Sequence, residues 1–291
     1  MTLYRKILIP TDGSENTKAA IAFALQMAKI SGATVTALTV NDTTSYANAS
    51  LEPAVEVDRF MAQIGKEAVT YVVDQGRSMG VSVTPQIING LPAKDIAGAS
   101  KGYDLVVMGT MGRTGMAHLL LGSVAENVVR NAHCPVMVVH ADKDHDASEC
   151  RSILIATDGG DHTKIAILHG LELAKALNAK VTALSVSDAK SDPGPARKDK
   201  VALRRIMDMS QNAVDDVVAE GNRFGLEVVP KVVTGSPANE IVKVSKGYDL
   251  VVMGTLGRSG LDLLRLGSVA EKTVRSSKCP VLVVRASDAS Q

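Results

Sequence analysis

Aromatic residues are scarce in this chain: they make up 3% of its 291 residues, and tryptophan is absent. The core must therefore be built from Val, Ile, Leu, Ala and Met, which suits buried parallel strands covered by helices. The formal net charge is only +1. A nucleic-acid-binding role has no support, because it needs a basic surface and rings that stack on bases.

Cysteine and long apolar runs are also scarce. The three cysteines, Cys134, Cys150 and Cys279, form no CxxC pattern, and three thiols cannot all pair within one chain. This indicates reduced thiols in a reducing compartment. No apolar segment is long enough for a signal peptide or a membrane span. We therefore expect a cytoplasmic protein without membrane contact.

What the chain does contain is an internal repeat. Residues 5–42, RKILIPTDGSENTKAAIAFALQMAKISGATVTALTVND, align without gaps with residues 151–188, RSILIATDGGDHTKIAILHGLELAKALNAKVTALSVSD. More than half of these positions are identical. The segment SKGYDLVVMGT then occurs verbatim at 100–110 and again at 245–255. We conclude that the chain is a tandem duplication.

The duplication predicts two domains. Domains of roughly 145 residues are of ordinary size, so we place them at 1–141 and 150–291, with a polar linker at 142–149. Each copy alternates apolar, strand-like runs with helical patterns, which predicts an α/β fold of two tandem Rossmann-like domains. Each domain should hold a five-stranded parallel sheet flanked by helices, with right-handed crossovers.

The most specific motif is G-x2-G-x9-G-S, written GTMGRTGMAHLLLGS at 109–123 and GTLGRSGLDLLRLGS at 254–268. Glycines let backbone N–H groups approach an anion, and a helix starting at the Gly-Ser pair points unpaired amides at the same place. The motif predicts a phosphate site. The alternative is that these glycines only shape a strand-to-helix connection. Neither copy has a P-loop lysine or GxGxxG after its first strand.

Two further pairs of residues have alternative interpretations. Arg113 and Arg258 lie inside the glycine loops, where they either clamp phosphates or are solvated. Asp12 and Asp158 follow the first strand of each copy, where they either contact a ligand or cap the next helix. Ligands of parallel sheets bind at the carboxyl ends of the strands where strand order reverses. We therefore expect the TDGS turn and the glycine loop on one rim of the sheet.

These motifs resemble the universal stress protein family, in its tandem, ATP-binding form with an adenine nucleotide α-hydrolase-like fold. The resemblance covers nearly the whole chain. It rests on ILIPTDGS and ILIATDGG, on the doubled glycine motif, and on GSVAENVVRNAHCPVMVV and GSVAEKTVRSSKCPVLVV. It implies a role in stress response and the binding of ATP, or of ADP, AMP or cyclic AMP, with or without Mg²⁺.

The resemblance also implies residue roles. Asp12 and Asp158 would contact the adenosine part, Val40 and Val186 would hold adenine through backbone groups, and the glycine loops would hold ribose and phosphates. The implied contacts of the first copy are Pro10, Thr11, Asp12, Val40, Gly109, Thr110, Gly112, Arg113, Gly115, Gly122, Ser123 and Val124. Those of the second copy are Ala156, Thr157, Asp158, Val186, Gly254, Thr255, Gly257, Arg258, Gly260, Gly267, Ser268 and Val269.

The second copy departs from the first at two positions of the turn after its first strand. Ala156 replaces Pro10, and Gly160 replaces Ser14, so a side-chain hydroxyl is lost. We expect the two sites to differ in affinity. No metal site is predicted, because His133 beside Cys134 has Lys278 as its counterpart.

Three functions stay open at this point. The first is a nucleotide-dependent regulatory protein with an unidentified protein partner. The second is a slow ATPase or autophosphorylating enzyme, with Ser123, Ser268, Thr110 or Thr255 as the phosphate acceptor and no identified catalytic base. The third is an assembly module with empty sites. The resemblance implies pairing along the last strands, PVMVV and PVLVV, as an internal pseudo-dimer, with further homodimerisation of chains.

Overall fold

The computed structural model describes residues 4–42, 51–112, 121–141, 147–188, 200–255 and 266–285. The chain divides into two compact units, Met1–Ser148 and Glu149–Gln291. Each unit is a five-stranded parallel sheet flanked by helices, so the predicted α/β fold is confirmed.

The first unit alternates strands and helices along the chain. Its elements are β1 (Lys6–Pro10), α1 (Glu15–Ser31), β2 (Thr34–Asp42), α2 (Leu51–Met79), β3 (Val83–Gly90), α3 (Pro92–Ala99), β4 (Leu105–Gly109), α4 (Ser123–Asn131) and β5 (Val136–Val139). Residues 7–9 of β1 and 105–107 of β4 have no solvent exposure. Both faces of these strands are therefore covered, as expected for central parallel strands.

The second unit repeats this order. Its elements are β6 (Ser152–Ala156), α5 (Lys164–Leu177), β7 (Lys180–Ser187), α6 (Lys200–Phe224), β8 (Val228–Thr234), α7 (Pro237–Ser245), β9 (Leu250–Gly254), α8 (Ser268–Ser276) and β10 (Val281–Val284). Helix α1 ends at Gly32, with φ of +68°, whereas α5 ends at Asn178, with φ of +52°. Glycine and asparagine are the residues that adopt this left-handed C-cap conformation most readily.

Strand order places the site. In the first unit the order is β3-β2-β1-β4-β5, and in the second it is β8-β7-β6-β9-β10. The chain moves outward from β1 to β3 and then returns to the other side of β1 with β4. The order therefore reverses between β1 and β4, and again between β6 and β9. Parallel sheets bind ligands at the carboxyl ends of such strand pairs.

Proline marks the outermost strand of each unit. Pro85 of β3 is paired with Ala37, and Pro230 of β8 is paired with Ala183. Because proline has no backbone N–H, it is tolerated at a sheet edge rather than between two strands. Among the described strands of its unit, β3 pairs with β2 alone. The sequence thus places these strands at the periphery of their sheets.

An aspartate in the repeated GYDLVV segment holds the two central strands together. Asp104 Oδ2 accepts hydrogen bonds from the backbone N–H groups of Arg5, at 2.7 Å, and Lys6, at 2.9 Å. Asp249 makes the same pair of contacts at the start of β6, at 2.9 Å each. This carboxylate therefore positions β1 against β4 at the end of the sheet opposite to the glycine loop.

The predicted linker, 142–149, is described only in its last three residues, which form a 3-10 turn, Ala147–Glu149. Ala147 is fully buried, and its backbone N–H donates to Gln26 Oε1 at 2.6 Å. This end of the predicted linker therefore packs onto α1.

The three cysteines are buried and free of disulfide bonds. Burial raises the pKa of the Cys150 thiol to about 12, so this group is protonated at neutral pH. Among the helices in the described ranges, none has the length and apolar character needed to traverse a bilayer.

Candidate functional site

The turn after β1 and the loop after β4 meet where the strand order reverses. Asn16, in the first turn of α1, donates a hydrogen bond from Nδ2 to the carbonyl oxygen of Gly112 at 3.1 Å. A Cβ built on Gly112 would lie 2.5 Å from Asp12 Oδ2. The structure therefore brings Asp12 and the start of the glycine loop into direct proximity, on one rim of the sheet.

The turn after β1 is braced by its own side chains. Thr11 Oγ1 accepts from the Gly13 N–H at 3.1 Å and is hydrogen-bonded to Thr17 Oγ1 at 3.1 Å. Asp12 Oδ1 accepts from the backbone N–H of Ser14 at 3.0 Å. Gly13 has φ of +78°, which a side chain would disfavour. One carboxylate oxygen of Asp12 thus holds the turn, and the other faces the glycine loop.

The glycine loop is pinned where it re-enters the fold. The Gly122 N–H donates to the carbonyl oxygen of Thr110 at 2.8 Å, and Gly267 donates to Thr255 at 2.8 Å. Gly122 is the N-cap of α4 and makes no side-chain capping bond. The first turn of this helix therefore has no side-chain cap and carries the partial positive charge of a helix N-terminus.

Two glycines of the first loop lie close to backbone carbonyl oxygens. A Cβ on Gly109 would lie 2.9 Å from the carbonyl oxygen of Asn16, and one on Gly122 would lie 3.2 Å from that of Thr110. Together with Gly112, these glycines let the loop pack closely against the turn after β1 and against its own backbone. Ser123, at the first position of α4, is exposed.

The backbone of Val40 faces the opening at the carboxyl end of β1, where the strand order reverses. We call this opening the gap of the first unit, and its equivalent at the end of β6 the gap of the second. The Thr11 N–H donates to the carbonyl oxygen of Leu38 at 2.9 Å, beyond the last paired residue of β1. Backbone groups of alternate residues point to the same side of a strand. The N–H and C=O of Val40, two residues after Leu38, therefore point past the end of β1. The second unit repeats this arrangement, because Thr157 donates to Leu184 at 2.9 Å and Val186 follows two residues later.

The remaining predicted residues fall into two groups. Thr110 and Thr255 are buried, and Val124 and Val269 are half-buried in the first turns of α4 and α8. The other predicted residues lie outside the described ranges: Arg113, Gly115, Gly257, Arg258 and Gly260.

The turn of the second unit repeats most of these bonds. Thr157 Oγ1 is 3.1 Å from both the Gly159 nitrogen and Thr163 Oγ1, and Asp158 Oδ1 accepts from the Gly160 N–H at 2.9 Å. Gly159 has φ of +81°. The turn geometry is therefore shared, although Gly160 stands where the first unit has Ser14.

Pro10 and Ala156 give the two gaps different strand pairing. β1 pairs with β4 through Ile7 and Leu8, whereas β6 pairs with β9 as far as Ala156, opposite Met253. The N–H of the residue before Thr11 or Thr157 faces the central neighbour, because successive residues alternate. Proline has no N–H to donate there, so the first ladder ends earlier.

Sequence reasoning missed Asn16 and its counterpart, His162. His162 Nε2 lies 3.2 Å from both Oδ1 and Oδ2 of Asp158, whereas Asn16 is bonded to the glycine loop. Both residues lie four positions after the aspartate of the turn. The signal was present in the repeat alignment, as an amide opposite an imidazole. Among the described residues, no group of three His, Cys, Asp or Glu side chains is arranged to hold a metal ion.

Comparison with known proteins gives consistent matches in both halves. The universal stress protein family model matches residues 3–140 and 149–285. The universal stress protein MJ0531 of Methanocaldococcus jannaschii is 40% identical over 144 residues, which is 48% of this chain and 85% of that protein. A universal stress protein of Mycolicibacterium smegmatis is 28% identical over 291 residues, 96% of each chain.

One solved structure extends the likeness over both halves. The crystal structure of a universal stress protein from Archaeoglobus fulgidus DSM 4304 matches with a TM-score of 0.71 at 24% identity. The match covers 97% of this chain and 98% of that one. This likeness shows that the two chains share a fold.

Proposed function

Because the chain belongs to the universal stress protein family, we propose that each half binds one adenine nucleotide and that the bound state regulates a protein partner in stress response. The observation that carries this proposal is the convergence of three features where β1 meets β4. These are the Asp12 carboxylate, the partly exposed backbone of the glycines that follow β4, and the N-terminus of α4 without a side-chain cap. Close backbone approach and positive potential together favour phosphate binding.

The geometry suggests how the ligand would be held. Adenine has both a donor and an acceptor on its edge, and the outward-facing N–H and C=O of Val40 match that pattern. Oδ2 of Asp12, which lies on the Gly112 side of the turn, can accept from ribose hydroxyls. Phosphates would lie over Gly109, Gly112 and the start of α4. Mg²⁺, when present, would be bound chiefly through phosphate oxygens, as this ion prefers.

The resident ligand can be identified directly. We expect mass spectrometry of the small molecules released by denaturing the purified chain to show an adenine nucleotide. Titration calorimetry of the stripped chain with ATP, ADP, AMP and cyclic AMP should then give up to two sites per chain. The proposal fails if none of these ligands binds either site at millimolar concentration.

Gly112→Val tests the first site alone. Its side chain would be forced against the Asp12 carboxylate, so we expect the affinity of the first site to fall by about 100-fold while the second site is unchanged. The matched control is Gly98→Ala, because a Cβ on Gly98 in α3 meets no atom within 4 Å. Equal losses at both sites, or loss in the control, would contradict the assignment.

A second candidate function is slow phosphoryl transfer to the protein itself. The observation that favours it is the exposure of Ser123 and Ser268 at the helix N-termini where phosphates would lie, whereas Thr110 and Thr255 are buried. Labelled ATP should then transfer phosphate to wild-type chain and not to a Ser123→Ala, Ser268→Ala double variant. Saturated sites without transfer or hydrolysis would leave binding as the function.

Self-association through the last strands and a cytoplasmic location stay predictions from the sequence. Sedimentation equilibrium of the chain with and without nucleotide measures the first. A mass of a single chain under both conditions would contradict homodimerisation.

A further inference from the structure

The two halves differ in what contacts the aspartate of the turn. In the first half, Asn16 donates to the Gly112 carbonyl oxygen, so it ties α1 to the glycine loop. In the second half, the equivalent His162 instead lies 3.2 Å from both carboxylate oxygens of Asp158. In the second half, an imidazole therefore contacts the Asp158 carboxylate. The equivalent carboxylate in the first half, that of Asp12, faces the glycine loop.

Gly160 is what allows the ring to reach Asp158. A Cβ on Gly160 would collide with Cε1 of His162 and would lie 2.6 Å from its Nδ1. The first half has Ser14 at this position, and the buried Ser14 hydroxyl has no hydrogen-bond partner among the described residues. Replacing the serine by glycine thus loses no bond within the protein and opens space for a ring. The glycine and the histidine act as one unit.

Asp158 is the charged group in contact with this ring among the described residues. The side chains of His162 and Asp158 are 20% and 27% exposed. The neighbouring Asp161 is 92% exposed and is paired with Lys164 at 2.7 Å. Strand β9, which packs against this turn, has no ionisable side chain.

Helix α6 also approaches this turn, at Ala213, which a Cβ on Gly159 would meet at 2.9 Å. The α6 carboxylate of Asp216 acts on Lys164. The charge of the ring is therefore felt chiefly by Asp158 and by whatever ligand Asp158 faces.

We propose that His162 is a specificity-determining residue of the second nucleotide site, which makes that site favour polyphosphate over monophosphate ligands as the pH falls. The inference rests on the proposed nucleotide binding. With a neutral ring, Asp158 presents a full negative charge to the ligand. With a protonated ring, the pair is neutral and repels anionic phosphates less. Histidine is the side chain that changes charge in this way near neutral pH.

The test uses single-site chains and a matched exchange. Gly112→Val leaves the second site, and Gly257→Val, at the matching motif position, leaves the first. The affinities of each chain for ATP and AMP are measured at pH 8 and pH 6. We expect the preference for ATP over AMP to rise about fivefold more on acidification at the second site than at the first. The first site corrects for protonation of the nucleotide itself.

Three variants separate His162 from a general structural effect. His162→Asn should reduce the pH response of the second site to that of the first, and Gly160→Ser should do the same by displacing the ring. Asn16→His combined with Ser14→Gly should transfer the response to the first site. An unchanged pH response of the second site in His162→Asn overturns this inference alone. If neither single-site chain binds ATP or AMP at either pH, the proposed function is overturned and this inference with it.

Discussion

The two halves of the chain keep most of the same bonds around the turn but differ in several of the side chains that pack around it. The paired threonines are 3.1 Å apart in both halves, and the loop-to-helix bond is 2.8 Å in both. These bonds depend on backbone path and on small polar groups, so few residues can make them. Packing positions have more solutions, provided that neighbours change together.

One such exchange lies under the long helices. Gly65 of α2 faces Asn41 of β2, and a Cβ on Gly65 would lie 2.9 Å from Asn41 Oδ1. The second half has Ser210 in place of the glycine and Ser187 in place of the asparagine. Both serines are fully buried. The strand therefore carries the larger side chain in the first half, and the helix carries a side chain at this contact in the second half.

Substitution of His169 should give the largest change in the difference between the two halves. His169 lies in α5 at the position of the fully buried Phe23, and burial lowers its pKa from 6.5 to about 4. The folded chain therefore binds this proton less tightly than the unfolded chain. The resulting stability is complete above pH 6.5 and is lost as the pH falls toward 4. We expect a loss of up to about 3 kcal/mol in the free energy of unfolding.

The measurement is urea unfolding at pH 7 and pH 4.5, with His169→Phe beside the parent chain. The phenylalanine variant should lose less stability on acidification, since it has no proton to gain. Phe23→His should introduce the same acid sensitivity in the first half. An identical pH profile for parent and His169→Phe would refute this account.

Gly65→Ser should give the next largest effect. The added side chain would press on Asn41 and on the Thr39 methyl group, 3.3 Å from the new Cβ, so we expect a loss of about 2 kcal/mol in unfolding free energy. Adding Asn41→Ser should recover most of it, because the pair then matches the second half. Denaturant unfolding of both single variants and the double variant measures their coupling. Strictly additive losses would show that the positions are independent.

Ala156→Pro should give the smallest effect and would make the second gap resemble the first. It removes the N–H that faces β9, so we expect a loss of about 1 kcal/mol and faster amide exchange at the end of the β6–β9 ladder. Pro10→Ala is the reciprocal variant and should slow exchange at the end of β4. Unchanged exchange in both variants would mean that proline does not determine where the ladder ends.

Much of the fold follows from pattern alone. The alternation of apolar runs and helical periods predicts a parallel α/β sheet, because parallel strands are joined by crossovers that are usually helices. The glycine spacing predicted a phosphate site, which stays a prediction, whereas the structure shows that Gly112 and Gly122 lie close to Asp12 and to the Thr110 carbonyl oxygen. Strand ends were less predictable: β2 continues to Asp42, two residues past its apolar run, because β3 pairs with it that far. Pairing partners, rather than local propensity, determine where a strand stops.

The roles of Asn16 and His162 could not be predicted in the same way. Both are polar residues in the first turn after the same motif, and either could face solvent. Their partners are 96 residues away in the first half and four in the second. Which partner each side chain reaches depends on the size of the side chain and on the space left by Gly160. Neither can be read from one-dimensional spacing.

The sequence by itself determined the duplication, the α/β fold and the meeting of the aspartate turn with the glycine loop, since these follow from periodicity and from backbone conformations that only glycine adopts easily. The sequence also shows that the two turns differ at Pro10 and Ala156 and at Ser14 and Gly160, but the tertiary structure decided what those exchanges do. Asp12 faces the loop, whereas Asp158 contacts an imidazole, and the ladder beside Pro10 is shorter than that beside Ala156. The physical reason is that side-chain contacts depend on distances between segments that only the folded chain brings together.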